Sequence, residues 1–286
     1  MLVSSATSRP ARRIFVLAVA VLLSPLLVRC ADKDVTVVQQ VRIMDFSHLA
    51  GPTTIVFRYT PLVRGASGQA EIEPFKGTLK IHGVFSNLPP GSRLGSPFLT
   101  YTLWQVSPDG RTTNLGEVEL TESAGEISTK ARSPKFGLIV TAEPYFAVSQ
   151  PSFKVALESD VAPGSSSNLP LTLARCELLR TPIGGQLVAN DPPDPKTAGQ
   201  PVLFEEARRA LAVARAAGAA EYAPDTLDTA EQTLKTAGSL LAQGAKPRDV
   251  HDAAMEAVLI AEDARVLAVA RHSRSQTAPA ASAQRP

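Results

Sequence analysis

The chain has 286 residues, of which 44% are hydrophobic and 20% are charged, a composition typical of globular proteins. Its 29 basic and 27 acidic residues give a net charge of +2. Because no basic block occurs outside the N-terminal segment, we expect no nucleic-acid partner. The length predicts about two domains of ordinary size.

The N-terminal segment has the pattern of a secretory signal. Arg9, Arg12 and Arg13 precede a mostly apolar run over residues 14–28. This run is shorter than the roughly 20 residues that a transmembrane helix needs. We therefore expect an exported protein of the periplasm or the outer membrane, with no cytosolic domain ahead of the signal.

Cys30 follows this signal and suggests lipid anchoring. Leu27 fits a lipoprotein signal, whereas Arg29 stands where a small residue normally precedes the lipidated cysteine. Two alternatives stay open: Cys30 is lipidated, or the signal is cleaved nearby or kept as a short anchor. Lipidation would make the membrane a partner, since several acyl chains anchor far better than the single chain that binds reversibly.

Residues 33–180 are predicted to form an antiparallel Ig-like β-sandwich. Short runs of β-branched and aromatic residues alternate with turn residues, which indicates a sandwich or a closed sheet. The clearest strand is residues 98–106, where Tyr101 and Trp104 fall on opposite faces, and residues 107–110 are a turn signal. The predicted strands are residues 35–43, 53–60, 70–73, 77–85, 98–106, 115–120, 136–141, 153–158 and 171–179.

Residues 181–201 are rich in proline and glycine and predict a linker between two domains. Beyond it, apolar residues recur in steps of three and four, the spacing of a helix seam. The seams predict helices at residues 203–217, 224–243 and 247–272, and the short joints favour an antiparallel bundle over residues 202–273. The seam positions are Leu203, Ala207, Ala210, Ala214, Ala217, Leu227, Ala230, Leu234, Ala237, Leu241, Val250, Ala254, Ala257, Ala261, Ala264 and Ala268.

Glycines and prolines support these helix bounds. Gly218 and Gly244 suit C-terminal caps, and Pro224 and Pro247 suit first helical positions. Because each alanine buries little area, we expect the bundle to lean on the β domain or on a partner, namely envelope proteins or another copy of the chain. Residues 274–286 are predicted to be a disordered tail.

The sequence shows no pattern of catalytic or metal-binding residues. The histidines His48, His82, His251 and His272 are scattered, and none lies four residues from another histidine or a cysteine. No nucleophile elbow, Walker A loop or dinucleotide-binding glycine motif occurs. We therefore expect no catalytic residue, no cofactor and no metal, and we interpret the protein as not an enzyme.

The remaining candidates are acidic residues and a second cysteine. Glu117, Glu119 and Glu122 alternate along a strand and its exit, which is typical of a solvated face. Cys176 lies among apolar strand residues, which favours a buried, inert thiol. A disulfide with Cys30 is the alternative if Cys30 carries no lipid.

Residues 68–159 carry a distinctive order of features: a Tyr-Leu-Trp strand, a glycine turn, a Leu-Gly strand start, and a later strand that ends in an acidic residue and proline. The residues concerned are Tyr101, Leu103, Trp104, Gly110, Leu115, Gly116, Glu143 and Pro144. Together with the segments YTLWQVSPDGRTTNLGEVEL (101–120), FGLIVTAEP (136–144) and SQPSFKVALES (149–159), this order resembles the extracytoplasmic domain of anti-sigma-K factors.

This resemblance implies a shared β fold on the outer side of the membrane. Anti-sigma-K factors carry a cytoplasmic sigma-binding segment before their membrane span, whereas we expect only a short signal in this chain. The resemblance therefore does not imply inhibition of a sigma factor. An anti-sigma regulator would need a partner that supplies the cytosolic half.

The helical region carries a second resemblance. A Tyr-Ala-Pro helix entry at residues 222–224 is followed by the alanine seams of residues 217–241 and 252–271. These features resemble a short Ala-rich helical domain of unknown function in bacterial envelope proteins, which often precedes an outer-membrane-protein-A-like module that binds peptidoglycan. We expect no such module after residue 271, and so no direct peptidoglycan binding of that type.

These features predict a non-catalytic bacterial cell-envelope protein that acts as a scaffold or interaction module at the periplasmic side of a membrane. The alternative is a periplasmic carbohydrate-binding or hydrolytic protein, in which Trp104, Tyr145 and Phe146 would stack on sugar. Burial of Trp104 in the sandwich core is the competing interpretation of that residue.

Overall fold

The β-rich part of the chain forms one large antiparallel sheet. The computed structural model describes residues 36–162, 169–184 and 201–282. Within these residues, eleven strands form the sheet and helices follow it, which confirms the predicted order of β and then α structure. The strands are β1 (Thr36–Asp45), β2 (Thr53–Tyr59), β3 (Ser67–Phe75), β4 (Thr78–Ser86), β5 (Thr100–Val106), β6 (Thr112–Glu117), β7 (Glu119–Thr121), β8 (Ala124–Ala131), β9 (Lys135–Glu143), β10 (Val155–Val161) and β11 (Leu171–Leu179).

Strand β9 organises the sheet because it pairs along both of its edges. One edge pairs with β5, in a register from Thr100 opposite Glu143 to Val106 opposite Gly137. β9 also pairs with the end of β1, where Met44 is opposite Phe136, and with β10. From β10 the sheet continues through β2, β3, β4 and β8 to β7, while β1 leads to β11 at the other end. Gly137 allows β9 to pass β1 closely, because a Cβ there would clash with the Arg42 carbonyl oxygen.

Both faces of β5 are buried, and they belong to two different cores. Tyr101 and Leu103 point into a cluster formed by the sheet and its loops. Trp104 and Val106 point to the opposite face, into a cluster that the sheet shares with the helices. The predicted alternation and the burial of Trp104 are therefore confirmed, although Trp104 packs in the core that the helices complete.

The helical layer consists of α1 (Val202–Ala216), the single turn α2 (Ala219–Tyr222), α3 (Pro224–Ala242) and α4 (Pro247–Ser282). Most seam positions are buried, and on α4 every one from Val250 to Ala268 is at most 5% exposed. The predicted seam position Leu241 at the end of α3 is instead 37% exposed. α4 packs against both α1 and α3. The sheet and the helices belong to one compact unit and share a core, so the helices rest on the sheet. The sequence leaves the β domain and a partner as the two alternatives for supporting the helices.

The predicted glycines after α1 and α3 and the predicted prolines at the starts of α3 and α4 are confirmed. Gly218 and Gly244 follow α1 and α3 with φ of 87° and 67°, a backbone conformation that glycine adopts without strain. Pro224 and Pro247 begin α3 and α4, where the missing proline N–H would have no helical partner in any case.

The turn between β5 and β6 is also where the sequence predicts it. The Gly110 N–H donates to the Ser107 carbonyl oxygen at 2.9 Å, and Gly110 has a φ of 84°. The turn lies against β11, and a Cβ at position 110 would clash with the Arg175 carbonyl oxygen. Glycine is therefore needed here both for the backbone conformation and for the close approach.

Two strands differ from the prediction. β8 is absent from it, because Ile127 is the one large apolar side chain on the inward face of that strand. The predicted strand 115–120 is divided between β6 and β7 at Val118, whose N–H donates to the Tyr101 carbonyl oxygen at 2.8 Å. Where a strand carries mostly polar residues, the alternation of apolar and polar residues that predicts a strand is not visible in the sequence.

The helical region differs in two ways. The turn α2 is additional, and α4 continues past residue 272, so that residues 274–282 are helical and not part of a disordered tail. Alanine, arginine and glutamine favour helix, and extending an existing helix costs far less than starting one.

The predicted N-terminal signal with Cys30, residues 185–200 of the predicted linker and residues 283–286 of the predicted tail lie outside the described residues. In the part that is described, no helix is both long and apolar enough to cross a membrane.

Candidate functional site

The structure describes only one of the two cysteines. Cys30, predicted for lipidation, lies outside the described residues. Cys176 on β11 is fully buried in the core between sheet and helices. Burial raises the pKa of its thiol to about 11, which keeps it protonated at neutral pH. The predicted burial of the Cys176 thiol is therefore confirmed.

The aromatic residues considered for sugar stacking are inside the protein. Trp104 and Tyr145 are 0% exposed and Phe146 is 7% exposed. The Trp104 indole Nε1 donates to Thr141 Oγ1 at 2.8 Å, so its polar atom is satisfied internally. A stacking platform needs an exposed ring face, and these three side chains do not supply one.

A chain of buried hydrogen bonds runs from Trp104 to Glu143 at the end of β9. Thr141 Oγ1 donates onward to Glu143 Oε1 at 2.5 Å, and the Ser152 N–H donates to the same oxygen at 2.7 Å. Glu143 Oε2 has no hydrogen-bond partner among the described residues. Burial raises the pKa of this carboxyl group to about 8, so that it is protonated at neutral pH.

Glu117 corrects the predicted solvated glutamate face. Glu119 and Glu122 are exposed as expected, but Glu117 is partly buried between the sheet and α1. Thr100 Oγ1 donates to Glu117 Oε1 at 2.5 Å. Its other neighbour is the carboxyl group of Glu206 on α1, which is fully buried. The alternation along the strand places Glu117 on the helix-facing side, and the sequence does not reveal that a helix covers this side.

The Glu117 and Glu206 carboxyl groups hydrogen-bond to each other, which requires that one of them carry a proton. Glu206 Oε2 accepts from the Phe146 N–H at 2.9 Å, while Oε1 has no N–H or O–H donor among the described residues. Burial, and then the neighbouring carboxyl group, raises the pKa of Glu206 well above its ordinary value. The pair joins β6 to α1.

A second buried contact joins the loop between β9 and β10 to α4. Tyr145 Oη donates to Glu262 Oε2 at 2.7 Å, and Arg265 donates to both oxygens of Glu262 at 2.7 Å. Arg265 also donates to Ser149 Oγ at 2.7 Å. Burial, with the charge of Glu262 second, raises the pKa of Tyr145 well above its ordinary value, so the phenol remains a donor.

We expect Arg265→Met to lower the free energy of unfolding by about 2–3 kcal/mol, because it leaves the Glu262 carboxylate buried without its cation. The side chains of Arg265 and Glu262 are only 14% and 7% exposed. Urea denaturation followed by circular dichroism measures the loss.

Arg248→Met is the matched control. Arg248 pairs with Asp252 on the same helix, but their side chains are 89% and 58% exposed, so the change should cost less than about 0.5 kcal/mol. Equal losses in the two variants would contradict a buried role for the Glu262–Arg265 pair.

A cavity of about 570 Å³ opens where the ends of the helices meet β7. Its walls are mostly apolar and include Leu203 and Phe204 at the start of α1, and its polar groups are Glu119, Arg248 and His251. The structure thus brings together Glu119 and His251, which the sequence treats as separate surface residues. The volume is within the range of small-molecule sites.

The outer side of α4 exposes apolar residues. Leu259, Val266 and Val269 are 47%, 43% and 46% exposed, while the inner seam of the same helix is almost completely buried. Met255 is half-buried on the same side. Three large apolar residues therefore recur on the solvent side of this helix.

No group of three or more His, Cys, Asp or Glu side chains converges in a way that could hold a metal ion, as far as the described ranges extend. The buried glutamates at 143, 206 and 262 were not recognised from the sequence, because isolated polar residues among strand and helix residues look like surface positions. Comparison with protein-family models and with curated proteins finds no match for this chain.

Proposed function

We propose that this protein is a non-catalytic component of the bacterial cell envelope, exported and held at the periplasmic side of a membrane, where it serves as a scaffold or interaction module. The observation that carries the proposal is the exposed apolar side of α4. Behind this side the helix packs on α1 and α3, which belong to the core shared with the sheet. A helix held rigidly in this way can present the same surface to every binding partner.

The buried acids support a non-catalytic role. A general acid or base must reach the proton that it transfers, within about 3 Å or through one water molecule. Glu143 and Glu206 are 0% exposed, and the groups that surround them are other protein atoms. Their raised pKa values follow from structural burial, which also perturbs carboxyl groups outside active sites.

The finer fold belongs to the same proposal. The internal core of the sheet, with Tyr101 and Leu103 at its centre, is compatible with an Ig-like sandwich of the kind found in the extracytoplasmic domain of anti-sigma-K factors. Helices α1, α3 and α4, joined by short turns, are compatible with an antiparallel bundle. An experimental structure of the exported chain would test both descriptions.

Anchoring through Cys30 is the most direct test of location. We expect the mature protein in membranes to begin at Cys30 and to carry a diacylglyceryl group, because Leu27 and the preceding apolar run match a lipoprotein signal even though Arg29 departs from it. Mass spectrometry of the N-terminal peptide measures this. The Cys30→Ser variant should lose the lipid mass and be released from membranes.

An unmodified N-terminus elsewhere in the chain would contradict lipidation while leaving export intact. Recovery of the whole unprocessed chain in the cytosol would contradict the proposed function itself.

A further inference from the structure

The cavity of about 570 Å³ lies where the apolar seams of the helical layer end. Leu203 is the first seam position of α1, Leu241 is the last of α3 and Val250 is the first of α4, and all three line the cavity. Farther along α4, every seam position from Ala254 to Ala268 is 0% exposed. The seams that pack together along the layer thus separate at this end and leave an apolar space.

Leu241 shows that the described part of the chain leaves this space open. Its side chain is 37% exposed, whereas the seam residue one turn earlier, Ala237, is 0% exposed. The turn that follows α3 brings Gly244, Ala245 and Pro247 to the same cavity, so this wall is also apolar. An apolar molecule that covers Leu241 would remove its surface from water, which favours binding.

The polar groups of the cavity suit an anion more than a cation. The Arg248 guanidinium and the His251 imidazole can both donate hydrogen bonds, and Glu119 is the one acid among the described residues that line the space. Arg248 pairs with Asp252 at 3.7 Å, but its side chain is 89% exposed. A guanidinium has five N–H donors, so Arg248 can also bind a second anion.

The backbone contributes to the same preference. α1 and α4 both begin at the cavity, where Pro201 and Pro247 line it, and Pro201 provides no side-chain cap for α1. The N-terminal end of a helix carries partial positive charge. The first-turn acids Glu205 and Asp249 offset part of this charge, but neither lines the cavity. A negative group beside an apolar space is therefore favoured.

We propose that this cavity binds a fatty acid, that is, an amphiphile with one acyl chain and one carboxylate. The chain would lie against Leu203, Phe204 and Leu241, and the carboxylate would accept hydrogen bonds from Arg248 and His251. The volume suits a single chain, since small-molecule sites measure roughly 300–1,000 Å³. Glu119 favours a singly charged carboxylate over a phosphate, because repulsion grows with the charge of the head group. This site goes beyond the proposed scaffold role.

Calorimetric titration of the purified, delipidated chain with dodecanoate, below its micelle concentration, tests the ligand class. We expect dodecanoate to bind at least about tenfold more tightly than dodecyltrimethylammonium, which has the same chain length and the opposite charge. Octanoate should bind at least about tenfold more weakly than dodecanoate, since each buried methylene strengthens binding about fourfold.

Two variants locate the site. Leu241→Gln makes one wall polar and should weaken dodecanoate binding at least about fivefold. Arg248→Met should weaken dodecanoate binding by a similar factor while leaving the binding of uncharged dodecanol unchanged. Arg132→Met is the matched control, because Arg132 is exposed after β8 and does not line the cavity. Circular dichroism verifies that each variant is folded.

The opposite results would overturn the inference. The cavity would not be a fatty-acid site if dodecanoate failed to bind, or if dodecanoate, dodecanol and dodecyltrimethylammonium bound equally well. Binding that survives both Leu241→Gln and Arg248→Met would place the amphiphile elsewhere on the protein. Tighter binding of dodecyl phosphate would reject the carboxylate as the head group. None of these results depends on where the protein is held, so each leaves the proposed function to its own test.

Discussion

The free energy of unfolding should fall as the pH rises from about 5 to about 8, the reverse of the acid destabilisation that salt-bridged carboxylates cause. The principal source is Glu143, whose pKa is raised by burial from 4.5 to about 8. Between these values the folded chain retains a proton that the unfolded chain releases. The stabilisation is therefore complete below about pH 4.5 and is lost as the pH rises through 8.

The linkage relation converts a pKa difference between 4.5 and about 8 into a loss on the order of 5 kcal/mol. Glu206 contributes in the same direction, because its pKa is also raised by burial and by Glu117. Asp45 has the opposite sign, since hydrogen bonds from Ser47 and Lys135 hold its pKa well below 3.8. Its stabilisation disappears only at lower pH, outside this window.

Urea denaturation at pH 5, 6, 7 and 8 measures the effect. Glu143→Gln should remove most of the pH dependence while preserving the hydrogen bonds to Thr141 and Ser152, and adding Glu206→Gln should flatten the remainder. Glu177→Gln, on the exposed side of β11, is the matched control and should behave like the unmodified chain. An unchanged slope in Glu143→Gln would reject Glu143 as the source.

The second large effect concerns Trp104. We expect Trp104→Ala to destabilise the protein by about 3–5 kcal/mol, because it empties a fully buried site between sheet and helices. It also leaves Thr141 Oγ1 without its indole donor. Circular dichroism in urea measures the loss, since this is the sole tryptophan of the chain and its fluorescence disappears with it.

Trp104→Phe separates packing from hydrogen bonding. It keeps most of the apolar contact and removes only the Nε1–H donor, so the loss should be about 1–2 kcal/mol. If Trp104→Ala cost less than about 1 kcal/mol, the indole would have to be solvent-exposed. That result would contradict the packing of the helices on the sheet described above.

The elements with regular spacing were predictable from the sequence. The alanine seam of α4 and the two faces of β5 follow directly from periods of 3.6 and 2 residues, and glycine and proline mark the helix ends. β8 was not predictable in this way, because Ile127 alone represents its buried face. Local pattern therefore located the elements that bury large or regularly spaced apolar residues.

The buried carboxyl groups could not be predicted for a different reason. Glu117 and Glu206 meet only because α1 covers β6, and no local pattern records a contact between residues so distant in sequence. Glu262 lies off the apolar seam of its helix, as a surface residue would, so the sequence pattern does not indicate that it is buried. The apolar residues Leu259 and Val266 lie off the seam of their own helix. Their spacing was a weaker signal, available from the sequence, that this helix has apolar residues outside its buried seam.

The turn at Gly110 has a consequence for assembly. β11 is the last strand at its end of the sheet, and a free strand of that kind can recruit strands from other molecules into fibrils. The β5–β6 turn lies over the backbone of that strand at Arg175, where only a residue without a side chain fits. Displacing the turn with a larger residue at position 110 would therefore leave this end of the sheet more open to other strands.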